Sequence, residues 1–123
     1  MTDVFNEYCR AWNAADLDGI FALFSEDAVY AGASRTLRGR QAIRQMYATG
    51  FAHESIRSLT AVPATLRDGT IGIVLQRGET VVALKRFRFG EDQIVWHDIT
   101  EDATSIGELL DLSALSEHQE PAT

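Results

Sequence analysis

The chain has 123 residues, 46% hydrophobic and 24% charged, which suits one domain around one core and leaves no apolar run near the ~20 residues that a membrane-spanning helix needs. Eighteen acidic residues against eleven basic ones give a formal charge of −7, which argues against nucleic acid or an anionic membrane as partner. A single cysteine, Cys9, excludes an intrachain disulfide, and the opening MTDVFNEYCR has no basic segment leading into an apolar one, so a cytoplasmic location is expected.

Val4, Tyr8, Trp12 and Ala15 recur at helical spacing, with Phe5 and Cys9 beside them, and predict an amphipathic helix with one broad apolar face. Cys9 on that face reads as a small buried side chain. Asp16 is the expected N-cap of a second helix that buries Leu17, Ile20, Phe21 and Phe24 and ends at Ser25, Glu26 and Asp27. Ala28 to Tyr30 reads as a short strand and Ala31 to Arg38 as a loop. A third helix begins near Gly39, with Ile43, Met46, Tyr47 and Phe51 on its apolar side and Gly50 near its end.

From Ser55 the period changes from helical to alternating. Four strands are expected near 56–66, 70–77, 80–89 and 94–101, joined by short turns at Arg67-Asp68-Gly69, Arg77-Gly78-Glu79 and Gly90-Glu91-Asp92. Pro63 makes the first of these an edge, bulged or divided strand. Ile106, Leu109, Leu110 and Leu112 predict a short helix, followed by a polar tail, so that residues 1–115 form the domain and 116–123 lie outside it. The architecture is α+β: three N-terminal helices against a curved, mostly antiparallel sheet that together enclose a cone-shaped pocket.

Strict alternation puts Val81, Ala83, Lys85, Phe87 and Phe89 on the concave face with Val95, His97 and Ile99. Val82, Leu84, Arg86 and Arg88 then face outward with Ile94, Trp96 and Asp98, and Asp98 meets solvent or a partner. An outer face this apolar predicts a two-fold homodimer anchored by Trp96. Inside, Tyr8 is either a core tyrosine bonded to Tyr47 or a hydrogen-bond donor to a ligand. His97 titrates near neutrality when unperturbed and is a candidate acid or base, or else a core histidine bonded to a backbone carbonyl. The simpler reading of Lys85 is a snorkelling side chain with its ammonium at the cavity mouth; kept inside, it would join Tyr8 in holding a carbonyl, enolate or carboxylate oxygen. A Schiff-base lysine is the remoter reading. His53, His97 and His118 have no metal-ligand spacing, and neither a metal nor a cofactor is expected.

The segments NAADLDGIFALF, SEDAVY, RGRQAIRQMY and FRF at Phe87 to Phe89 resemble the nuclear transport factor 2-like (cystatin-like) superfamily over nearly the whole chain to about Glu101. Within it the chain is most similar to ketosteroid isomerases and SnoaL-like polyketide cyclases. The resemblance implies that Tyr8 donates a hydrogen bond to a substrate oxyanion, supported by Tyr47, as a tyrosine does in the oxyanion hole of ketosteroid isomerases. Two acidic residues of those isomerases have no counterpart: Gly32 stands where the aspartate base is expected, and Lys85, or Arg86 in a register shifted by one, stands where a protonated aspartic acid is expected. SnoaL-like members often carry a histidine where this chain has His97, and an aspartate two residues later, where it has Ile99.

The expected site therefore has Tyr8, His97 and Lys85 as catalytic candidates, with Trp12, Tyr30, Met46, Tyr47, Phe51, Phe87 and Ile99 lining a pocket for a small apolar molecule that carries one carbonyl, phenol or carboxylate group. Two functions fit: an isomerase, cyclase or lyase without ketosteroid isomerase activity, or a non-catalytic, dimeric ligand-binding or accessory domain.

Overall fold

The computed structural model describes residues 2–32 and 34–111, with the side chains of residues 2 and 3 excepted. The elements run α1 (Thr2–Asn13), α2 (Leu17–Phe21), β1 (Phe24–Ala31), β2 (Thr36–Arg38), α3 (Arg40–Phe51), α4 (Glu54–Arg57), β3 (Thr60–Thr65), β4 (Ile71–Arg77), β5 (Thr80–Gly90), β6 (Gln93–Thr100) and α5 (Ala103–Leu109). Six strands form one curved sheet in the order β2-β1-β6-β5-β4-β3, antiparallel throughout except where β1 lies parallel to β6. The expected α+β architecture is present. Leu112 and the tail from Ser116 lie outside the described residues.

Local chemistry sets the element ends. Asp16 caps α2 by accepting from the Gly19 amide, which satisfies one of the free N–H groups at the helix start. The first helix stops at Asn13 rather than reaching Ala15, which has a φ of 53° and is exposed. Asn13 instead clamps the edge strand β3, donating to the Ala61 carbonyl at 3.1 Å and accepting from the Ala61 amide at 2.8 Å. One residue earlier, the Trp12 indole donates to the Leu59 carbonyl at 2.9 Å. These bonds replace ladder partners that an edge strand lacks, and they fix α1 across the concave face.

Some expected boundaries move. The strand expected at Ala28 to Tyr30 begins at Phe24 and runs through Ser25, Glu26 and Asp27, which are solvent-side residues of a strand and not a break. A three-residue strand, β2, lies within the expected loop and pairs with the end of β1. Ahead of β3 the chain makes the short helix α4, so that strand is shorter than expected; Pro63 is accommodated because β3 is the sheet edge.

Two irregularities reverse parts of the alternation. Leu75 pairs with Ala83 but Gln76 with Val81, so Val82 is an extra residue that turns toward the concave side while Val81 packs on the convex side. Likewise Arg88 pairs with Trp96 but Phe89 with Ile94, leaving Val95 extra and placing Ile94 in the main core, 1% exposed. Val82 and Ile94 are therefore not part of the outer face. On that convex side Leu84 and Val74 are covered by Ile106 and Leu110 from α5 and its end, which form a second small core with Leu66. Asp98 is 8% exposed and paired with Arg86 opposite it, whose guanidinium Nε donates to Oδ2 at 3.1 Å, so it does not stand free in bulk solvent.

The main core fills the concave side. Tyr8, Ile20, Phe24, Ile43, Ile73 and Ile94 are essentially inaccessible, each contributing roughly 1.5–3 kcal/mol through burial.

Candidate functional site

Between α1, α3, α4 and the strands β4 to β6 lies a cavity of about 340 Å³, walled by Trp12, Tyr30, Met46, Tyr47, Phe51 and Ile99 and by apolar residues of the sheet. Exposed Arg77 and Glu101 stand at its rim. Lys85 lies in its wall although only 3% of the residue is exposed. Its side chain does not snorkel: the amine turns to Tyr47 of α3 and Trp12 of α1, which cover the concave face of the central strand β5 at this point.

What holds the amine there is aromatic. Lys85 Nζ donates to the Tyr47 hydroxyl at 3.2 Å, and it lies 4.9 Å from the ring centre of Tyr47, 5.5 Å from that of Tyr30 and 6.0 Å from that of Trp12. Burial lowers its pKa to about 7, opposed by the negative charges of Glu101 and Asp98. Near neutral pH the amine thus exists in both protonation states. Of the two adjacent basic residues, Lys85 points in, whereas Arg86 points out to Asp98.

Tyr47 is the hub. Its hydroxyl is 2.6 Å from that of Tyr8, 3.1 Å from His97 Nε2 and 3.2 Å from Lys85 Nζ. A phenol has one proton to give and two lone pairs, so three neighbours saturate it. With Lys85 donating, and Tyr8 donating as well, the remaining arrangement has Tyr47 donate to Nε2 of a neutral His97. Burial pushes the pKa of both tyrosines up, chiefly by desolvation. His97 is driven well below its ordinary value, first by burial and then by the charge of Lys85. The Val29 backbone opposes this slightly, but Nδ1 has no hydrogen-bond partner of normal geometry among the described residues. Phe87 and Tyr47 lie nearly parallel to the imidazole at 5.7 and 6.0 Å, with Phe24 and Tyr30 tilted against it.

Among the expected site residues, Lys85, Trp12, Tyr30, Met46, Tyr47, Phe51 and Ile99 line the cavity. Tyr8, His97 and Phe87 do not. Tyr8 packs against Phe5, Phe87 and Ile94 where there is no room for even a water molecule, and its hydroxyl meets the cavity wall at Tyr47. His97 is fully inaccessible behind the same hydroxyl. Tyr47 thus stands in the cavity wall with Tyr8 behind it, whereas the resemblance puts Tyr8 toward the ligand. Gly32 is also outside the cavity wall; a Cβ there would lie 2.8 Å from Tyr30 Cε2 and 3.1 Å from the Arg35 carbonyl oxygen. The Tyr30 ring occupies the space that a side chain at position 32 would need.

Sequence reasoning did not single out Arg77 or Glu101. Each is a charged residue at the C-terminal end of a strand, and β4 and β6, both antiparallel to β5, bring those two ends to one side of the sheet. Ile56 and Leu59 escape that reasoning as well, because the pattern over 56–66 reads as one strand, whereas α4 runs to Arg57 and β3 begins at Thr60. Among the described residues no three His, Cys, Asp or Glu side chains gather where they could share a metal ion, and no helix is long and apolar enough to cross a membrane.

Several solved structures share the fold. A SnoaL-like protein of unknown function from Burkholderia thailandensis is 23% identical over 80% of this chain and 91% of its own, with a TM-score of 0.63. A protein with a ketosteroid isomerase-like fold from Catenulispora acidiphila, solved in complex with trimethylamine, is 17% identical over 84% and 88% with a TM-score of 0.61. A nuclear transport factor 2-like protein of unknown function from Cytophaga hutchinsonii is 11% identical over 87% and 94% with a TM-score of 0.63. Residues 5–106 match the SnoaL-like domain model. With that match spanning most of the sequence, and with helices roofing a curved sheet over an apolar cavity, the chain belongs to the SnoaL-like domain family.

Proposed function

We propose that the chain binds a small, largely apolar molecule by one oxygen and acts on it as an isomerase, cyclase or lyase, with Lys85 as the group that meets the substrate and Tyr47 beside it. The observation that carries this reading is the placement of the Lys85 amine 3.2 Å from the Tyr47 hydroxyl in the wall of a predominantly apolar cavity. A buried amine that is neutral in part at pH 7 can take a proton from carbon or give one to oxygen, the two steps that such reactions share. Tyr8 and His97 support it from behind by holding the Tyr47 hydroxyl. Ketosteroid isomerase activity is not part of the reading, because no carboxylate base stands at Gly32.

The chain needs no cofactor in this reading. A cationic ligand such as the trimethylamine bound by the Catenulispora protein is disfavoured, since Lys85 already occupies the aromatic end of the cavity. A homodimer is also proposed, through the convex face beside β6, where Trp96 stays partly exposed under the Arg88 guanidinium at 4.5 Å.

Proton exchange tests the reaction type directly. In deuterium oxide, the α-protons of a small apolar ketone such as 2-tetralone should exchange faster with the protein than with Lys85→Met. Equal rates, with binding of the ketone demonstrated, would instead favour the non-catalytic ligand-binding domain.

A further inference from the structure

Lysine occurs once in this chain. The other ten basic residues outside histidine are all arginine, whose guanidinium stays protonated at any ordinary pH. Surface charge is therefore carried without a single lysine amine, and the one lysine side chain is 3% exposed. An amine is the only side chain that both donates hydrogen bonds as a cation and forms a carbon–nitrogen double bond as a neutral base. A role in hydrogen bonding alone would be served by many residues. Burial of a lysine against Trp12, Tyr30 and Tyr47, with no carboxylate hydrogen-bonded to it among the described residues, carries a desolvation cost that an apolar side chain there would avoid.

We infer that Lys85 condenses with a small apolar aldehyde or ketone in the cavity, forming an imine with loss of water. This deepens the proposed function and rests on it, since the carbonyl compound must first enter the same cavity. The neutral Nζ lone pair attacks the carbonyl carbon, and the C=O π electrons move to oxygen. The oxygen takes up a proton as nitrogen releases one, through the Tyr47 hydroxyl 3.2 Å away, giving a neutral carbinolamine. The nitrogen lone pair then forms C=N as the C–O bond breaks, and the leaving oxygen departs as water with a second proton passed through the same hydroxyl, which receives the remaining N–H proton. Amine and carbonyl compound become imine and water; nothing is oxidised or reduced.

The surroundings suit each step. Three ring faces accept the cationic iminium in place of the ammonium. Glu101 at the rim and Asp98 on the far side of the sheet bias the site toward positive charge without bonding the amine. Tyr47, backed by Tyr8 and His97, gives and regains its proton without becoming a free phenolate. Burial leaves a neutral fraction of amine at pH 7 that a solvated lysine would lack.

The experiment is reductive trapping of the full chain at pH 7 with benzaldehyde and sodium cyanoborohydride, followed by peptide mapping. With one lysine, the α-amino group is the other aliphatic amine available, and it serves as the internal comparison. The expected result is one benzyl group on Lys85, saturating with benzaldehyde and suppressed by 4-bromophenol, while labelling of the α-amino group is not suppressed. Labelling confined to the α-amino group overturns the inference, and so does Lys85 labelling that 4-bromophenol leaves unchanged, since that amine would be reacting from an opened chain. Trp12 fluorescence separates the two levels: quenching by 4-bromophenol with no label on Lys85 ends the imine and spares the pocket, whereas absence of both ends the pocket reading as well. Lys85→Arg, which keeps the charge but forms no stable imine, is expected to lose the adduct; an adduct still assigned to residue 85 would expose a mapping error and overturn the result.

Discussion

The Lys85 amine and the Tyr47 hydroxyl stand 3.2 Å apart, and the same amine lies 4.9 Å from the centre of the Tyr47 ring. One residue thus offers the lysine both a hydrogen-bond acceptor and a π face. Because α3 carries Tyr47 and β5 carries Lys85, the pair ties helix layer to sheet at the cavity wall.

The lysine titration has a defined sign. Its folded pKa of about 7 lies below the value of 10.5 for a free side chain, so between these the unfolded chain holds a proton that the native chain does not. Stability then rises with pH across that window, by up to about 1.4 kcal/mol per pH unit, and the cost of the buried charge is full below it. Glu101 and Asp98 raise the folded value, and the neighbouring tyrosines keep their protons through burial. The Cys9 thiol, pushed up to about 11 by burial, acts in the opposite direction at alkaline pH. Comparison with Lys85→Met cancels that contribution: the variant should be the more stable protein at pH 6, with the gap closing as pH rises. Selective 13C labelling of lysine gives a single side-chain signal, whose midpoint near pH 7 checks the value directly; a midpoint near 10 would refute it.

Removing hydroxyls should separate hub from support. Tyr8→Phe deletes one bond and is expected to cost about 0.5–1.5 kcal/mol by urea denaturation. Tyr47→Phe leaves Tyr8, His97 and Lys85 without their shared partner and should cost more, about 1–3 kcal/mol, and lower the Lys85 pKa further. Equal losses would contradict the assignment of Tyr47 as the centre.

Ligand entry should be visible through Trp12, which lines the cavity, and not through Trp96, which lies on the other face. Contact quenching by 4-bromophenol should saturate in the native chain and vanish in Trp12→Phe. Lys85→Met should weaken binding by up to roughly tenfold, the value of one hydrogen bond. Undiminished quenching in Trp12→Phe would place the binding site elsewhere.

Gly32→Asp does not install an isomerase base. Its Cβ meets the Tyr30 ring, so the substitution should push that ring into the cavity, cost about 1–3 kcal/mol and weaken 4-bromophenol binding. Conversion of an unconjugated 3-ketosteroid, followed by ultraviolet absorbance, should remain negligible. A clear gain in rate would show that the loop after β1 places residue 32 toward the ligand.

Assembly is checked by light scattering at micromolar concentration. A dimer is expected, weakened by Trp96→Ala, since this is the large apolar side chain left partly exposed beside Arg88 on the convex face. A monomer, or a dimer indifferent to Trp96→Ala, would remove that face as the interface.

The sequence by itself determined the layer architecture, because periodicity survives in single residues: Tyr8 to Trp12 and Ile43 to Tyr47 to Phe51 mark helix faces, and the turns at Gly69 and Gly78, both at positive φ, fix an antiparallel meander. It also placed part of the cavity wall, since side chains such as Lys85 and Ile99 follow the two-residue repeat. Where that repeat breaks, only tertiary structure decided. Extra residues at Val82 and Val95 shift the following side chains, and a bulge has no signature in alternating apolar runs. The depth of each polar group was likewise invisible. Tyr8, Tyr47 and His97 all read as inward, but which one faces the cavity depends on how closely α1 and α3 approach the sheet, and that distance leaves Tyr47 in the wall with Tyr8 and His97 sealed behind it. The fate of Lys85 followed from the same packing, because Tyr47 from α3 and Trp12 from α1 meet its amine inside the cavity wall.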